Sequence, residues 1–279
     1  MVSTFMIGLG WYSAMAIARQ TGVSVALALA VVSALLPSSA LAKTNSAECA
    51  KPLYLTLDTG GMQSAELIAG ILKKHDVKAT FFLANEKTFR GDFVLDDSWA
   101  AYWRSRVQEG HAFGSHTWRH GRILKSEDGR IRYRPQFGES AGRTLALSTA
   151  EFCAELSRVG DQFKAMTNRS LDPIWRAPGG HTTAASVSAA SACGYAHVHW
   201  SPAGFLGDEL SSETHPNALL LKKALASIRP GDVLVAHLGI WSRKEAYAPT
   251  LDPLIAGLKE KGFCFKTITA AGPNEKIPR

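Results

Sequence analysis

The sequence predicts an α/β fold, a parallel sheet covered by helices, closed as a (β/α) barrel or open and doubly wound. Three observations carry that expectation. Short apolar runs, such as 53–57, 78–83 and 232–236, alternate with stretches of helical periodicity. Polar residues suited to chemistry (Asp58, His116, Arg176 and His237) fall at or just past the C-terminal ends of such runs, where both architectures build their sites. The 279 residues, 46% hydrophobic and 20% charged, suffice for a sizeable core and exclude a disordered, collagen-like or multi-span membrane chain.

The elements follow in order. Residues 1–42 hold no acidic residue and one basic one, Arg19; the chain is apolar from Thr21 to Leu36 and leaves through Pro37-Ser38-Ser39-Ala40-Leu41-Ala42. This is an export-signal pattern, with cleavage expected after Ala42 and Met15 as an alternative start. An uncleaved N-terminal anchor is the competing reading, since the apolar stretch approaches a short spanning helix. Cleavage leaves residues 43–279, secreted or periplasmic, without a stable membrane span. Loss of Arg19 takes the net charge from +7 to +6. Residues 43–50 form a short N-terminal segment, 51–270 one domain and 271–279 a tail. Cys49, Cys153, Cys193 and Cys264 all survive cleavage, and an oxidising compartment favours disulfides. Of three possible pairings we take Cys49–Cys264, joining the chain ends, and Cys153–Cys193, joining neighbouring helices.

A strand over 53–57 ends at Asp58-Thr59-Gly60, and a helix over 62–75 carries Leu67, Ile68, Ile71 and Leu72 on one face. A buried strand over 78–83, a helix over 98–109 and a short strand over 110–114 follow. The segment 121–147, polar and rich in glycine and arginine, is expected to be a long loop over the strand ends. Ser148-Thr149-Ala150-Glu151 is a capping box for a helix over 149–167. Strand 173–176, helix 184–193, strand 195–200, helix 216–228, strand 232–236, helix 250–261 and strand 263–268 complete the chain.

His116 and His120, four apart, are expected on a helical turn with both rings to one side, a metal-ligand spacing. Asp58 is a candidate base or ligand, with helix capping as the alternative. Arg176, before the turn Pro178-Gly179-Gly180, is placed to keep a nearby carboxylate ionised. His237 ends a buried run, as either a core or a catalytic histidine.

Taken in order over about residues 52–268, these segments resemble the NodB-type polysaccharide deacetylases, the family-4 carbohydrate esterases. The family's T-F-D-D-G reads Thr56-Leu57-Asp58-Thr59-Gly60; its K-A-T-F-F strand is Lys78-Ala79-Thr80-Phe81-Phe82; its histidine motif runs from Gly110 to His120; R-x-P is Arg176-Ala177-Pro178; and L-x-H is Val235-Ala236-His237. The resemblance implies a distorted (β/α) barrel that removes N-acetyl groups from a sugar polymer with a divalent metal, often zinc, held by Asp-His-His. By position it makes Asp58 the general base, His116 and His120 metal ligands, Arg176 the group that orients the base, and His237 the acid. His111 is read as structural.

Two departures stand out. Thr59 occupies the position of the third metal ligand, which leaves three readings: a two-His site completed by water or Thr59; a shifted register with Asp58 as ligand and Thr56 in the place of the base; or loss of the metal, giving a glycan-binding or regulatory protein on the same scaffold. The stretch His197-Val198-His199-Trp200-Ser201-Pro202, with Asp208 beyond it, replaces the usual Asp and Trp of the fourth motif. Trp200 is then the candidate sugar-stacking wall, with Pro178 and Gly179 beside it, and His199 or His181 candidate substitute ligands. The expected partner is an N-acetylated and, given the positive charge, anionic glycan. No nucleic-acid module is recognisable, and the chain is expected to be a monomer.

Overall fold

The computed structural model describes residues 49–269. The leader expectation (1–42, cleavage after Ala42) and the tail 271–279 lie outside the described residues.

Strand β1 (Pro52–Asp58) forms because alternate residues serve two cores. Leu53, Leu55 and Leu57 pack outward among helices, while Tyr54 joins the inner cluster of Phe82, Ile174, Val198 and Val233. Helix α1 (Ala65–Lys74) buries Ile68, Ile71 and Leu72, as their spacing requires; Leu67 is 48% exposed instead. Then come β2 (Thr80–Leu83), α2 (Ala100–Gln108) and β3 (Ala112–Ser115). After a small sheet, α3 (Thr149–Thr167) follows, opened by the expected capping box: Ser148 Oγ accepts from the Glu151 N–H, and Glu151 accepts from the Ser148 N–H. The chain continues through β7 (Ile174–Trp175), α4 (Ala184–Ala192), β8 (Ala196–His197), α5 (Asn217–Ser227), β9 (Val233–His237), α6 (Leu251–Glu260) and β10 (Cys264–Phe265).

The large sheet is parallel throughout, in the order β8–β7–β3–β2–β1–β9, with β10 on the first two residues of β1. Closure comes from the segment after β8: the Ser201 N–H donates to Val233 O (3.0 Å), the Leu206 N–H to Val235 O (3.4 Å), and Phe205 bridges Val235. This is a distorted (β/α) barrel. Inside it, a Cβ at Gly114 would lie 2.7 Å from Phe82 and 2.8 Å from Ile174, so only glycine fits there. The expected strands 173–176, 195–200 and 263–268 shorten to two residues each. For β8 the reason is that the chain must leave β7 to reach β9.

The expectation of a loop over 121–147 is corrected. This segment forms an antiparallel sheet of β4 (Arg122–Glu127), β5 (Arg130–Arg134) and β6 (Leu145–Leu147). Ile123, Ile131, Tyr133 and Leu147 bury one face against Phe152, Leu156 and Trp175, and Arg130, Arg132 and Arg134 alternate with them. Part of that positive charge is neutralised locally, by Arg132–Glu127 (3.0 Å) and Arg130–Glu151 (3.6 Å). Both disulfides match the chosen pairing, with Cα–Cα distances of 5.9 Å for Cys49–Cys264 and 6.0 Å for Cys153–Cys193. Among the described residues no helix is long and apolar enough to cross a membrane.

His111 is part of the scaffold. Its Nδ1 accepts the Ala79 N–H (3.0 Å) and its ring packs edge-on against Phe81. Burial pushes its pKa down to about 4 although Glu109 opposes this, and burial does the same to His197. Both folded pKa values lie below the ordinary 6.5, so the unfolded chain binds the extra protons between pH 6.5 and 4. Stability is therefore expected to fall as pH drops through that window, by roughly 1.4 kcal/mol per pH unit for each histidine. Denaturant midpoints measured across it test this, and a flat profile contradicts it.

Candidate active site

The barrel register sets the site. Asp58, the last residue of β1, pairs with His237, the last of β9, and with Phe82 on β2. His116 and Arg176 each lie one residue beyond β3 and β7. Strand ends thus bring together side chains 179 positions apart in sequence, from Asp58 to His237.

Asp58 and Arg176 form a buried pair, 3% and 0% exposed. Arg176 Nη1 donates to Asp58 Oδ1 (2.8 Å) and to Thr56 Oγ1 (2.7 Å), and Nε donates to Val198 O (3.4 Å). The guanidinium lies 4.3 Å from the Phe82 ring centroid and 5.7 Å from that of Trp200. Burial pushes the Asp58 carboxyl up, but Arg176, His116 and His237 together outweigh it and hold the carboxyl below the ordinary carboxylate range. Thr56, the base position of the shifted register, donates its hydroxyl to Leu234 O (2.5 Å) while accepting from Arg176.

His116 and His120 do come together, with ring centroids 4.9 Å apart. The expected helical turn does not form: Thr117 and His120 have φ of +64° and +47°. Such a backbone needs outside support. The Trp118 N–H donates to Glu155 O (2.7 Å), and the Gly121 N–H donates to Thr117 Oγ1 (3.1 Å) and Tyr133 Oη (3.0 Å). The Tyr133 hydroxyl donates in turn to Glu155 (2.7 Å), so the small sheet braces the histidine loop. His116 Nδ1 donates to Arg176 O (2.9 Å) and His120 Nδ1 to Gln136 Oε1 (2.6 Å). In neutral rings those bonds leave both Nε2 lone pairs available. Burial pushes His116 down to about 4, against the pull of Asp58, so its ring is neutral at pH 7.

Thr59 turns its hydroxyl toward the loop after β2. Its Oγ1 donates to Glu86 Oε1 (2.5 Å) and accepts the Ala84 N–H (3.2 Å). Gly60 also donates its N–H to Glu86 Oε1 (2.8 Å). Glycine is required there: φ is +85° and a Cβ would lie 2.4 Å from Gly239 O. Glu86, 5% exposed, places Oε2 3.9 Å from His120 Nε2. Burial raises its carboxyl, and His120, Thr59 and Gly60 more than reverse this. Sequence reasoning missed Glu86; its one signal was an acid three residues past a buried strand.

On the other wall, Asp208 accepts the His237 backbone N–H (2.7 Å) and the Nδ1–H (3.1 Å). Burial alone would push His237 down, but Asp208, Asp58 and Glu209 push it up to about 10, so it is protonated at neutral pH. Asp208, noted in the sequence only as lying beyond the altered fourth motif, enters from the loop after β8. Beside it lies a cavity of about 170 Å³ lined by Gln63, His237, Tyr247 and Trp241, and Trp241 is 58% exposed. Trp200 is half-buried between Arg176 and His199, Pro178 is buried and Gly179 exposed. The exposed His199 bonds Nδ1 to the Trp200 N–H (2.8 Å) and its ring meets Trp200 and His197; none of these contacts reaches His116 or His120. His181 is exposed on the turn after Gly180.

The polysaccharide deacetylase family model matches residues 45–198, more than half of the chain. The chain belongs to the polysaccharide deacetylase family. It is similar to the peptidoglycan-N-acetylmuramic acid deacetylase PdaA of Bacillus subtilis, 26% identical over 78% of this chain and 70% of that protein. Two further bacterial relatives are spanned over only 53% and 66% of their lengths. Among solved structures it shares its fold with the Bc1960 peptidoglycan N-acetylglucosamine deacetylase (TM-score 0.60, 21% identity, 79% of this chain and 87% of that one). It also shares it with BA3943 of Bacillus anthracis, described as a family-4 pseudoenzyme (TM-score 0.56, 24% identity, 78% and 64%).

Polysaccharide deacetylases of this kind are generally metal-dependent. Among the described residues no three His, Cys, Asp or Glu side chains are already gathered around one point to hold an ion. The donor chemistry nevertheless fits: two imidazole Nε2 atoms face carboxylates, Asp58 Oδ2 at 3.5 Å from His116 and Glu86 Oε2 at 3.9 Å from His120. Ligand atoms about 2.1 Å from a tetrahedral zinc stand about 3.4 Å apart, a spacing close to that of each pair.

Proposed function

We propose that this chain is an exported hydrolase that removes N-acetyl groups from an N-acetylated glycan. One observation carries the reading: an ionised Asp58 and a protonated His237 face each other at the same register of adjacent strands. Two titratable groups driven apart in this way are a base and an acid ready to work together. The leader pattern of residues 1–42 and two disulfides support export.

Amide hydrolysis needs a base for the attacking water, stabilisation of the oxyanion and a proton for the leaving amine. Asp58 takes the water proton while Arg176 holds its carboxylate in place. His237 donates its proton to the departing nitrogen, and Asp208 keeps the imidazolium oriented. His116 and His120 would hold a divalent cation, which when bound would supply Lewis-acid polarisation of the amide carbonyl. Trp241 and Trp200 offer aromatic faces to sugar rings.

Acetate release from peptidoglycan, chitooligosaccharides and an anionic N-acetylated polymer, with zinc, cobalt or nickel added, tests the reading; no release from any of them overturns it. The second reading, glycan binding without turnover, is favoured by Thr59 in the ligand position and predicts binding without acetate. Asp208→Asn separates them further. Without that carboxylate the His237 pKa falls back toward 6.5, so the alkaline limb of activity, expected near pH 10, moves to lower pH by at least about one unit. An unmoved limb would remove His237 from the acid role.

A further inference from the structure

Glu86 is a buried charge whose two oxygens are used differently. Oε1 is saturated by the Thr59 hydroxyl (2.5 Å) and the Gly60 N–H (2.8 Å). Oε2 faces His120 Nε2 at 3.9 Å. Burying a carboxylate at 5% exposure is costly without a compensating cation. The group facing Oε2 is His120, whose Nδ1 bonds Gln136 Oε1 (2.6 Å) and whose ring lies beside that of His116, with centroids 4.9 Å apart. A buried carboxylate oxygen and two adjacent imidazoles thus share one corner of the rim.

We propose that Glu86 is the anionic ligand of a divalent-cation site with His116 and His120, and that Thr59 is the positioning residue that aims its carboxylate. The proposal rests on the deacetylase reading only in taking a divalent cation as the group bound. Two neutral histidines and one carboxylate, with a position left open, are a donor set used by catalytic zinc. The carboxylate missing at position 59 has in effect moved to the loop after β2, and the Thr59 hydroxyl has become its hydrogen-bond donor. This reverses the simplest expectation for Thr59→Asp. A second carboxylate would stand against Glu86 in a buried space, and like charges there disfavour ionisation of both.

Titration of the purified protein with zinc and with cobalt, followed by calorimetry and by cobalt visible absorption, tests it. The unaltered chain is expected to bind one equivalent. Glu86→Gln keeps an acceptor for Thr59 and Gly60 and is expected to weaken binding by about 100-fold, whereas Thr59→Val, which removes only the supporting hydroxyl, costs about 10-fold. Thr59→Asp alone should not tighten binding, and Thr59→Asp with Glu86→Gln should recover most of what Glu86→Gln loses. Circular dichroism and thermal unfolding of each variant separate lost ligation from lost fold, and the double variant reports on ligation if Glu86→Gln alone is unstable. Unchanged affinity in folded Glu86→Gln, or no binding by the unaltered chain, overturns the proposal. Metal that depends on Glu86 without acetate release sinks the deacetylase reading and leaves this site standing; acetate release with metal independent of Glu86 does the reverse.

Discussion

Asp58→Asn is expected to lower acetate release by roughly a thousandfold, within the 10²–10⁴ range of general acid–base catalysis. Asparagine has nearly the same shape and its Oδ1 still accepts from Arg176 Nη1, so the geometry at 2.8 Å can survive. What disappears is the proton acceptor, because an amide does not take a proton from water at any working pH. The loss should fall on kcat more than on KM, since Asp58 acts on the attacking water and not on remote sugar contacts. Acetate-release kinetics of the folded variant measure this. Turnover within tenfold of the unaltered chain would remove Asp58 from the role of base.

Arg176→Met has the largest expected effect on stability. Arg176 is fully buried, and its guanidinium is the strongest of the groups keeping Asp58 ionised. Methionine fills part of the space between Phe82 and Trp200 but leaves a buried carboxylate without its cation. Breaking a buried pair from one side costs about 3–5 kcal/mol. The pH dependence follows from the sign of the Asp58 shift. Its folded pKa is depressed, so its stabilising contribution is present above the unfolded value of 3.8 and is lost as pH falls through the folded value. Without Arg176, burial dominates and the carboxyl rises. Stability loss should then be larger at pH 7 than at pH 4, and the acid limb of any remaining activity should move to higher pH. Equal destabilisation at both pH values would argue that Arg176 acts by packing alone.

The comparison with BA3943 sharpens the question raised by Thr59. A family fold is compatible with loss of catalysis, so membership by itself does not make this chain active. Here Asp58 with Arg176 and His237 with Asp208, the two pairs that the proposed mechanism uses, are both in place. Glu86 sits where it can answer for the altered ligand position. Metal binding and acetate release thus become separate measurements, and position 59 alone decides neither.

Much of the site was legible because strand ends are local features. Asp58, Arg176 and His237 each follow an apolar run, and the parallel register carries them to one rim without further information. The capping box at Ser148 was legible for a similar reason, whereas the disulfide pairing was one choice among three. Segment 130–134 carried the period-two alternation of a strand, hidden among arginines and glycines, and was misread as loop. The His116–His120 spacing suggested a helix, but left-handed residues at Thr117 and His120 bring the rings together by another route.

By itself the sequence determined the alternation of strands and helices, the ordered motifs and the residues at the strand ends, because apolar periodicity and strand termini are written along the chain. Only the tertiary structure decided that Thr59 turns its hydroxyl to Glu86, 27 positions away, and that Asp208 charges His237, 29 positions away. The physical reason is common to both. A buried carboxylate is tolerated only where donors or cations meet it, and the barrel brings those partners in from loops whose sequence has no periodicity to announce them.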